Sequence, residues 1–224
     1  MPTLTELLAE YRTDLADNET PYLWLDVDLL RYINKSIDIM CEKAYLIADS
    51  STAAYCLQNL SLAGGASYAK DAKVIQVRWI KLDGQTVPLT RATLNGLESH
   101  FPSWQSATAT TPRYFAEDIE KGKITYIPAP DTAYVSRLLV YRYPITPLVL
   151  ASPSESPEIE ERYHKYIKNG VLWQAFSKDD PEAYDSRRAA SYKSQFDVDV
   201  ARQALEIQKT WYASGTIGVH RGFT

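Results

Sequence analysis

The chain has 224 residues, 45% of them apolar and 23% charged, so it can bury a sizeable core without disulfide staples and has the composition of a folded protein. Its 24 Lys and Arg against 28 Asp and Glu give a net charge of -4, the wrong sign for a protein whose main work is gripping phosphate backbones. Sixteen tyrosines and only nine glycines argue for half-wet packing or contact surfaces and against glycine-rich nucleotide loops.

The N-terminus, Met1-Pro2-Thr3-Leu4-Thr5-Glu6, lacks the basic and apolar regions of a signal peptide, and no apolar run reaches the roughly 18 residues that span a bilayer. The expectation is a protein made and kept in a cytoplasm-like compartment until something assembles it, with no membrane partner. Leu7, Leu8, Tyr11 and Leu15 predict a short amphipathic helix capped by Thr3 or Thr5. A second helix is predicted from Asp26 or Asp28, both able to cap, because Leu29, Leu30, Ile33, Ile37, Met40, Cys41 and Ala44 recur at three- and four-residue steps. Residues 50–70, rich in Ser, Ala and Gly, impose no regular element.

At Val74 the period changes. Residues 74–81 are β-rich, Asp83-Gly84 supplies a turn, and 86–89 returns, which predicts a hairpin. Residues 93–97 read as one helical turn, followed by a loop bearing His100, Phe101 and Trp104. Strands are expected at 112–116, 124–128 and 137–144, so residues 74–144 make an antiparallel module of about five short strands. A proline- and serine-rich connector leads to a helix starting at Ser156-Pro157, with the stripe Ile159, Tyr163, Tyr166, Ile167, Val171 and Gln174. Asp179-Asp180-Pro181-Glu182 starts another, carrying Tyr184, Ala189, Tyr192, Phe196, Val200, Ala204 and Ile207 to about Thr210. The fold class is therefore α+β, a helical bundle with an inserted small antiparallel β module and an extended C-terminal arm. The parts are residues 1–70 (N-terminal helical), 71–150 (β module), 151–210 (helical pair packing on the N-terminal helices) and 211–224 (arm).

Charge is distributed unevenly along this order. Residues 1–50 carry ten acids and four bases, residues 51–157 eight and ten, and residues 158–224 ten of each. The acidity belongs to the N-terminal end.

Chemistry finds no foothold in these residues. His100, His164 and His220 fall on a loop, a helix and a tail, His164 reads as a solvated surface residue, and nothing nominates a partner for a general base. Asp26 and Asp28 are explained by helix capping, and Asp179-Asp180 and Asp197-x-Asp199 lack the ligand density and glycine of a calcium loop. Cys41 reads as a small core residue and Cys56 lies in a polar stretch; neither has histidines at metal-ligand spacing. No Gly-x-Ser-x-Gly, Walker loop or dinucleotide fingerprint is present. The chain is read as no enzyme, without cofactor or metal. Lys70, Lys73, Arg78, Lys81 and Arg91, with Trp79, compose a possible basic aromatic face for single strands, against which stands an ordinary two-sided strand with polar residues outward. Arg187-Arg188 reads as helix surface.

Three stretches in order resemble a known family, the head-to-tail adaptor (connector) proteins of tailed bacteriophages: Leu30-Arg31-Tyr32-Ile33-Asn34-Lys35-Ser36-Ile37; Thr111-Pro112-Arg113-Tyr114-Phe115 followed by 124–131 and closing on Leu138-x-Val140-x-Arg142-x-Pro144; and 172–180 followed by Asp185-x-x-Arg188-Ala189-Ala190-x-Tyr192-x-x-x-Phe196. Thr111 stands where that family has a glycine. The resemblance implies a structural virion protein at the head–tail interface, a homo-oligomeric ring of commonly twelve copies. Such a ring sits beneath a portal protein, extends a channel through which DNA passes without specific binding, and offers a docking platform to a tail or nozzle protein. It also implies a C-terminal arm that reaches the portal or a neighbouring subunit, for which Trp211, Tyr212, Ile217, Val219, Arg221 and Phe223 are the candidate contacts. The acidic N-terminal segment then lines the channel or forms a solvated outer face. The alternatives are another tail-completion or assembly subunit, and a single-stranded nucleic-acid-binding module.

Overall fold

The structure, a computed structural model, describes residues 1–214. These form an α+β protein of two compact units, a helical unit of residues 1–46 and 144 onward and a β unit of residues 47–143. The β unit thus begins some two dozen residues before Val74, in the stretch whose composition imposes no regular element.

In the helical unit, α1 (Leu4–Leu15) opens on a capping box, with the Glu6 N–H donating to Thr3 Oγ1 and the Thr3 N–H to the Glu6 carboxylate, which satisfies two otherwise orphaned donors. α2 (Asp26–Ala44) buries the expected stripe Leu29, Ile33, Ile37, Met40, Cys41 and Ala44. Its N-cap is Leu25, with no side-chain cap bond. Asp26 and Asp28 are instead first-turn acids at the positive end of the dipole, and they pair with Arg12 (2.6 Å) and with Arg31 (3.1 Å). The link between α1 and α2 is held by Asp17, which accepts from the backbone N–H groups of Leu23 and Trp24 and from the Arg12 guanidinium at 2.9 Å.

α5 (His164–Phe176) starts eight residues later than Ser156-Pro157 suggests, after a 3₁₀ turn at Glu161–Tyr163. The connector before it is tied down at Asn34, whose side chain exchanges hydrogen bonds with the Leu148 backbone in both directions (2.9 and 3.0 Å). α6 (Ser186–Ser214) begins after Asp185, whose carboxylate accepts the Arg188 N–H at 2.9 Å. Asp179 to Glu182 form a turn and not a helix start. α6 also runs past Thr210, so Trp211 and Tyr212 continue the helix and do not begin an arm. Where α5 meets α2 and α6, Gly170 permits close approach: a Cβ there would lie 2.5 Å from Ser36 Oγ and 2.9 Å from the Phe196 ring.

The β unit contains eight strands in two sheets. In the first, β8 (Tyr134–Arg142) pairs antiparallel with β4 (Val74–Leu82) on one side and with β1 (Ala48–Asp49) and β2 (Leu57–Leu60) on the other; a short helix α3 (Ala53–Cys56) links β1 to β2. In the second, the order is β3 (Ser67–Ala69), β7 (Lys123–Ile127), β6 (Tyr114–Glu117), β5 (Thr90–Arg91). The β5–β6 pairing is parallel, so the module is not purely antiparallel. The expected 74–89 hairpin does not form either. Gly84 supplies its positive φ of 81°, but β4 takes β8 as its partner, and the returning segment contributes the Leu89 N–H to Ile80 bond and then joins β6.

Side chains alternate between the two faces of β6 and β7. Phe115, Ile124 and Tyr126 enter a core shared with Val77, Ile80, Leu82, Leu138 and Val140 of the other sheet. Ala116 and Ile127 face the other way, onto Leu97 of α4 (Leu94–His100), itself capped by Thr93. Burial on both faces is why 124–127 reads as a continuous apolar run.

Candidate functional site

Within each unit, the described residues singled out for chemistry do not come together. His100 ends α4 and is exposed. His164, expected on the surface, is only 4% exposed, and its Nε2 bonds the Ile159 carbonyl at 2.9 Å, because the late start of α5 folds residue 159 back over the ring. His220 lies outside the described residues. Asp180 caps its own turn by accepting the Glu182 N–H, Asp197 pairs with Lys193 and Lys43, and Asp199 accepts from Asn169. Among the described residues no three His, Cys, Asp or Glu side chains form a group able to hold a metal.

Cys56 is fully buried, unlike its polar sequence surroundings, with its thiol 3.6 Å from Asp49. Burial, reinforced by the Asp49 charge, pushes the thiol up to about 11, so it is neutral and unreactive at pH 7. Asp49 itself is the hub of the first sheet. It accepts the N–H groups of Ser51 and Thr52, the Thr52 hydroxyl, and the buried Arg142 guanidinium at 2.7 Å. Burial works to raise its pKa, but the hydrogen bonds from Thr52 and Ser51 and the Arg142 partner outweigh it and hold the carboxyl well below the usual range.

The basic aromatic face is largely neutralised at its centre. The Lys70 ammonium lies 3.5 Å from Glu117 and 3.2 Å from Asp118, and Arg91 lies 3.0 Å from Glu117. Glu117 also accepts the Val77 N–H, yet burial is the dominant influence and raises its pKa. Arg78 reaches the Tyr141 hydroxyl at 3.3 Å. An apolar hollow of about 450 Å³ remains beside Arg78, Trp79 and Leu139, with Trp79 37% exposed.

α6 carries another uncovered apolar surface. Its buried side holds Ala189, Phe196, Val200 and Gln203, whereas Tyr184, expected on the buried stripe, is exposed. Turned outward are Ala190, Ser194, Val198, Ala201 and Leu205, with Val198 57% and Leu205 58% exposed. Steps of four, four, three and four residues put these side chains on one face of a 29-residue helix. The spacing is readable in the sequence, but it sits beside the stronger aromatic stripe that the core takes. Arg187 and Arg188 are exposed at the start of the same helix, and Arg188 packs over Phe176 and lies 3.5 Å from Asp185. Trp211 and Tyr212 fall in its last turn; Ile217, Val219, Arg221 and Phe223 lie outside the described residues.

The family model for the SU10 adaptor protein matches residues 2–218. The chain belongs to the SU10 adaptor protein family. No curated protein matches it. Membership makes the chain a bacteriophage structural adaptor, of a family that is structural and not enzymatic. The match extends through both units, so the adaptor assignment covers the helices and the inserted sheets alike. No helix among the adaptor's described residues is long and apolar enough to cross a membrane.

Proposed function

We propose that this adaptor works at the head–tail interface of a virion, as a homo-oligomeric ring seated on the portal protein. In this reading the ring, a dodecamer as the resemblance implies, extends the DNA channel without binding DNA specifically and offers a docking platform to a tail or nozzle protein. The observation that carries the reading is the outward face of α6. A long helix that already buries one stripe in its own unit, and leaves a second stripe of small and apolar residues uncovered, fits a subunit whose neighbours complete its packing. The C-terminal residues Trp211, Tyr212, Ile217, Val219, Arg221 and Phe223 serve as contacts to the portal or to a neighbour, supplying aromatic and aliphatic anchors of the kind interfaces use.

The test is to image purified protein alone and mixed with portal-bearing heads, using the full chain and a variant lacking residues 211–224. The reading expects rings on portal vertices with the full chain and few or none with the truncated one. Absence of the full-length protein from portal vertices would overturn the adaptor position; equal occupancy by both proteins would remove the C-terminal contacts from it.

A further inference from the structure

In the β unit, the segment Gln85 to Thr90 and the segment Thr111 to Tyr114 bracket a groove of about 480 Å³, within the size range of ligand sites. The two segments are joined where the Thr90 N–H donates to the Arg113 carbonyl at 2.9 Å, and from there Thr90 and Tyr114 pair as β5 and β6. One wall is apolar, made by Val87, Pro88 and Leu89, and Pro112 adds to the other. Val87, 70% exposed, and Pro88 face solvent, whereas Leu89 and Pro112 are buried.

The polar groups of the groove are unbalanced. No acid lines it, yet it contains Arg113, whose side chain has no hydrogen-bond or ion-pair partner among the described residues, while its backbone is fully engaged in the sheet. Arg91 and Lys70 pair with Glu117 and Lys123 with Glu120, while Lys121, exposed in the turn between β6 and β7, is not part of the groove lining. The Gln85 side chain is likewise without a partner among the described residues, and Thr111 bonds the Tyr134 hydroxyl at 2.8 Å, which holds that wall in place. A guanidinium presents a planar fork suited to a carboxylate, and this one stands over an apolar wall with no internal anion to satisfy it.

We propose that this groove binds an extended segment of a partner protein through an Asp or Glu side chain, with Arg113 taking the carboxylate and the exposed Val87 and Pro88 covering an apolar neighbour of that residue. The groove runs between two extended segments, 85–90 and 111–114, which favours a chain lying along it over a chain end stopping there. The inference goes beyond the ring assignment and stands whether or not the protein forms a ring.

The experiment is an amide chemical-shift titration of the full chain with an acetylated, amidated tripeptide carrying glutamate between two leucines, beside its glutamine counterpart. The glutamate peptide should shift resonances in 85–90 and 111–114, with at least tenfold weaker binding by the glutamine peptide. Arg113→Gln should cost about tenfold in affinity for the glutamate peptide, and Arg113→Lys should recover part of it. Because the Arg113 side chain is exposed and unpaired, both variants should keep the parent spectrum elsewhere. Equal binding of the two peptides, shifts confined to other residues, no binding at millimolar peptide, or equal binding of a leucine tripeptide with only a free terminal carboxylate would each overturn the proposal.

Discussion

In the helical unit the backbone of α5 comes close to two side chains: Gly170 lies so near Ser36 and Phe196 that a methyl group there would clash with both. Gln174 seals the same place, its amide donating to the Tyr32 carbonyl and Ser36 Oγ. In the β unit the corresponding deep feature is a charge, Asp49, clamped by Arg142 and by the turn that follows β1. Helices can be brought together by removing a side chain, because their backbone polar groups are already satisfied internally. The first sheet has a short strand, β1, of two residues, too few ladder bonds to fix it, and a buried ion pair with four hydrogen bonds from Ser51 and Thr52 of the following turn does so instead. Gly170 should therefore be a point where the helical unit is sensitive to added volume, and Asp49 a point where the β unit is sensitive to a lost charge.

The largest expected effect is in the β unit. Asp49→Ala leaves the buried Arg142 guanidinium without its carboxylate partner and strips the Ser51 and Thr52 N–H groups of their acceptor, a loss of about 3–5 kcal/mol. Denaturant unfolding measures the total. Hydrogen exchange locates it, with protection falling in β4 and β8 more than in α2 and α5. An equal loss of protection in both units would break the distinction drawn above.

Gly170→Ala tests the other side. Overpacking at a contact of this kind costs about 1–3 kcal/mol, and the loss should appear first in exchange of α2 and α5 amides. Pairing it with Ser36→Gly, which vacates the space the new methyl needs, should recover part of the loss, giving a coupling of about 0.5 kcal/mol or more. Strict additivity of the two substitutions would mean that the strain is relieved elsewhere.

Much of this arrangement was legible in the sequence, and where it was not the reason is physical. The stripe of α2 is readable because one face of a helix repeats every three or four residues, and the capping box at Thr3 and Glu6 is local. The strands at 74–82 and 114–127 are readable from β-branched and aromatic content. The start of α5 is not, since Ser156-Pro157 followed by acids satisfies every local rule for a helix start, and it is Asn34, more than a hundred residues away, that holds Leu148 and fixes the path of the connector. The strands in 47–70 escape notice because each is two to four residues long and is defined by β7 and β8, which lie far along the chain. The hairpin fails for a related reason: the Asp83-Gly84 turn forms, but β8 offers β4 a nine-residue partner that 86–89 cannot match. Of the candidate site, the α6 outer face and the Arg113 groove needed the fold to show which side chains remain uncovered.

Two buried carboxylates of the β unit sharpen the comparison through pH. Glu117 has its pKa raised, by burial first, so its folded form takes up a proton more readily than the unfolded chain. Its contribution therefore increases as pH falls from neutrality through its folded pKa, and is complete below the unfolded glutamate value of about 4.3. Asp49 behaves oppositely: its stabilisation is present above the unfolded aspartate value of about 3.9 and is lost only as pH drops from there toward its lower folded pKa. Stability curves should show a gain on mild acidification that Glu117→Gln abolishes, and a steep loss below about pH 4 that Asp49→Asn diminishes. A Glu117→Gln variant with the parent's slope between pH 7 and 5 would mean that its pairs with Lys70 and Arg91 outweigh its burial.

The smallest effect on folding is expected on the outer face of α6, and it separates what a residue does for its own unit from what it does for assembly. Val198 and Leu205 are more than half exposed and one stripe removed from the buried Phe196 and Val200. Val198→Asp and Leu205→Asp should therefore change unfolding free energy by no more than about 0.5 kcal/mol. If neighbouring copies cover this face, the same substitutions bury an unpaired carboxylate against an apolar surface, and occupancy of portal vertices should fall sharply while the monomer's melting curve stays where it was. Phe196→Ala is the opposite control, expected to cost about 3–5 kcal/mol through the cavity it opens between α5 and α6, and to affect assembly only in proportion to the protein left folded. A fold loss from Val198→Asp as large as that from Phe196→Ala would put this stripe in the unit's own core and take away the surface on which the ring reading rests.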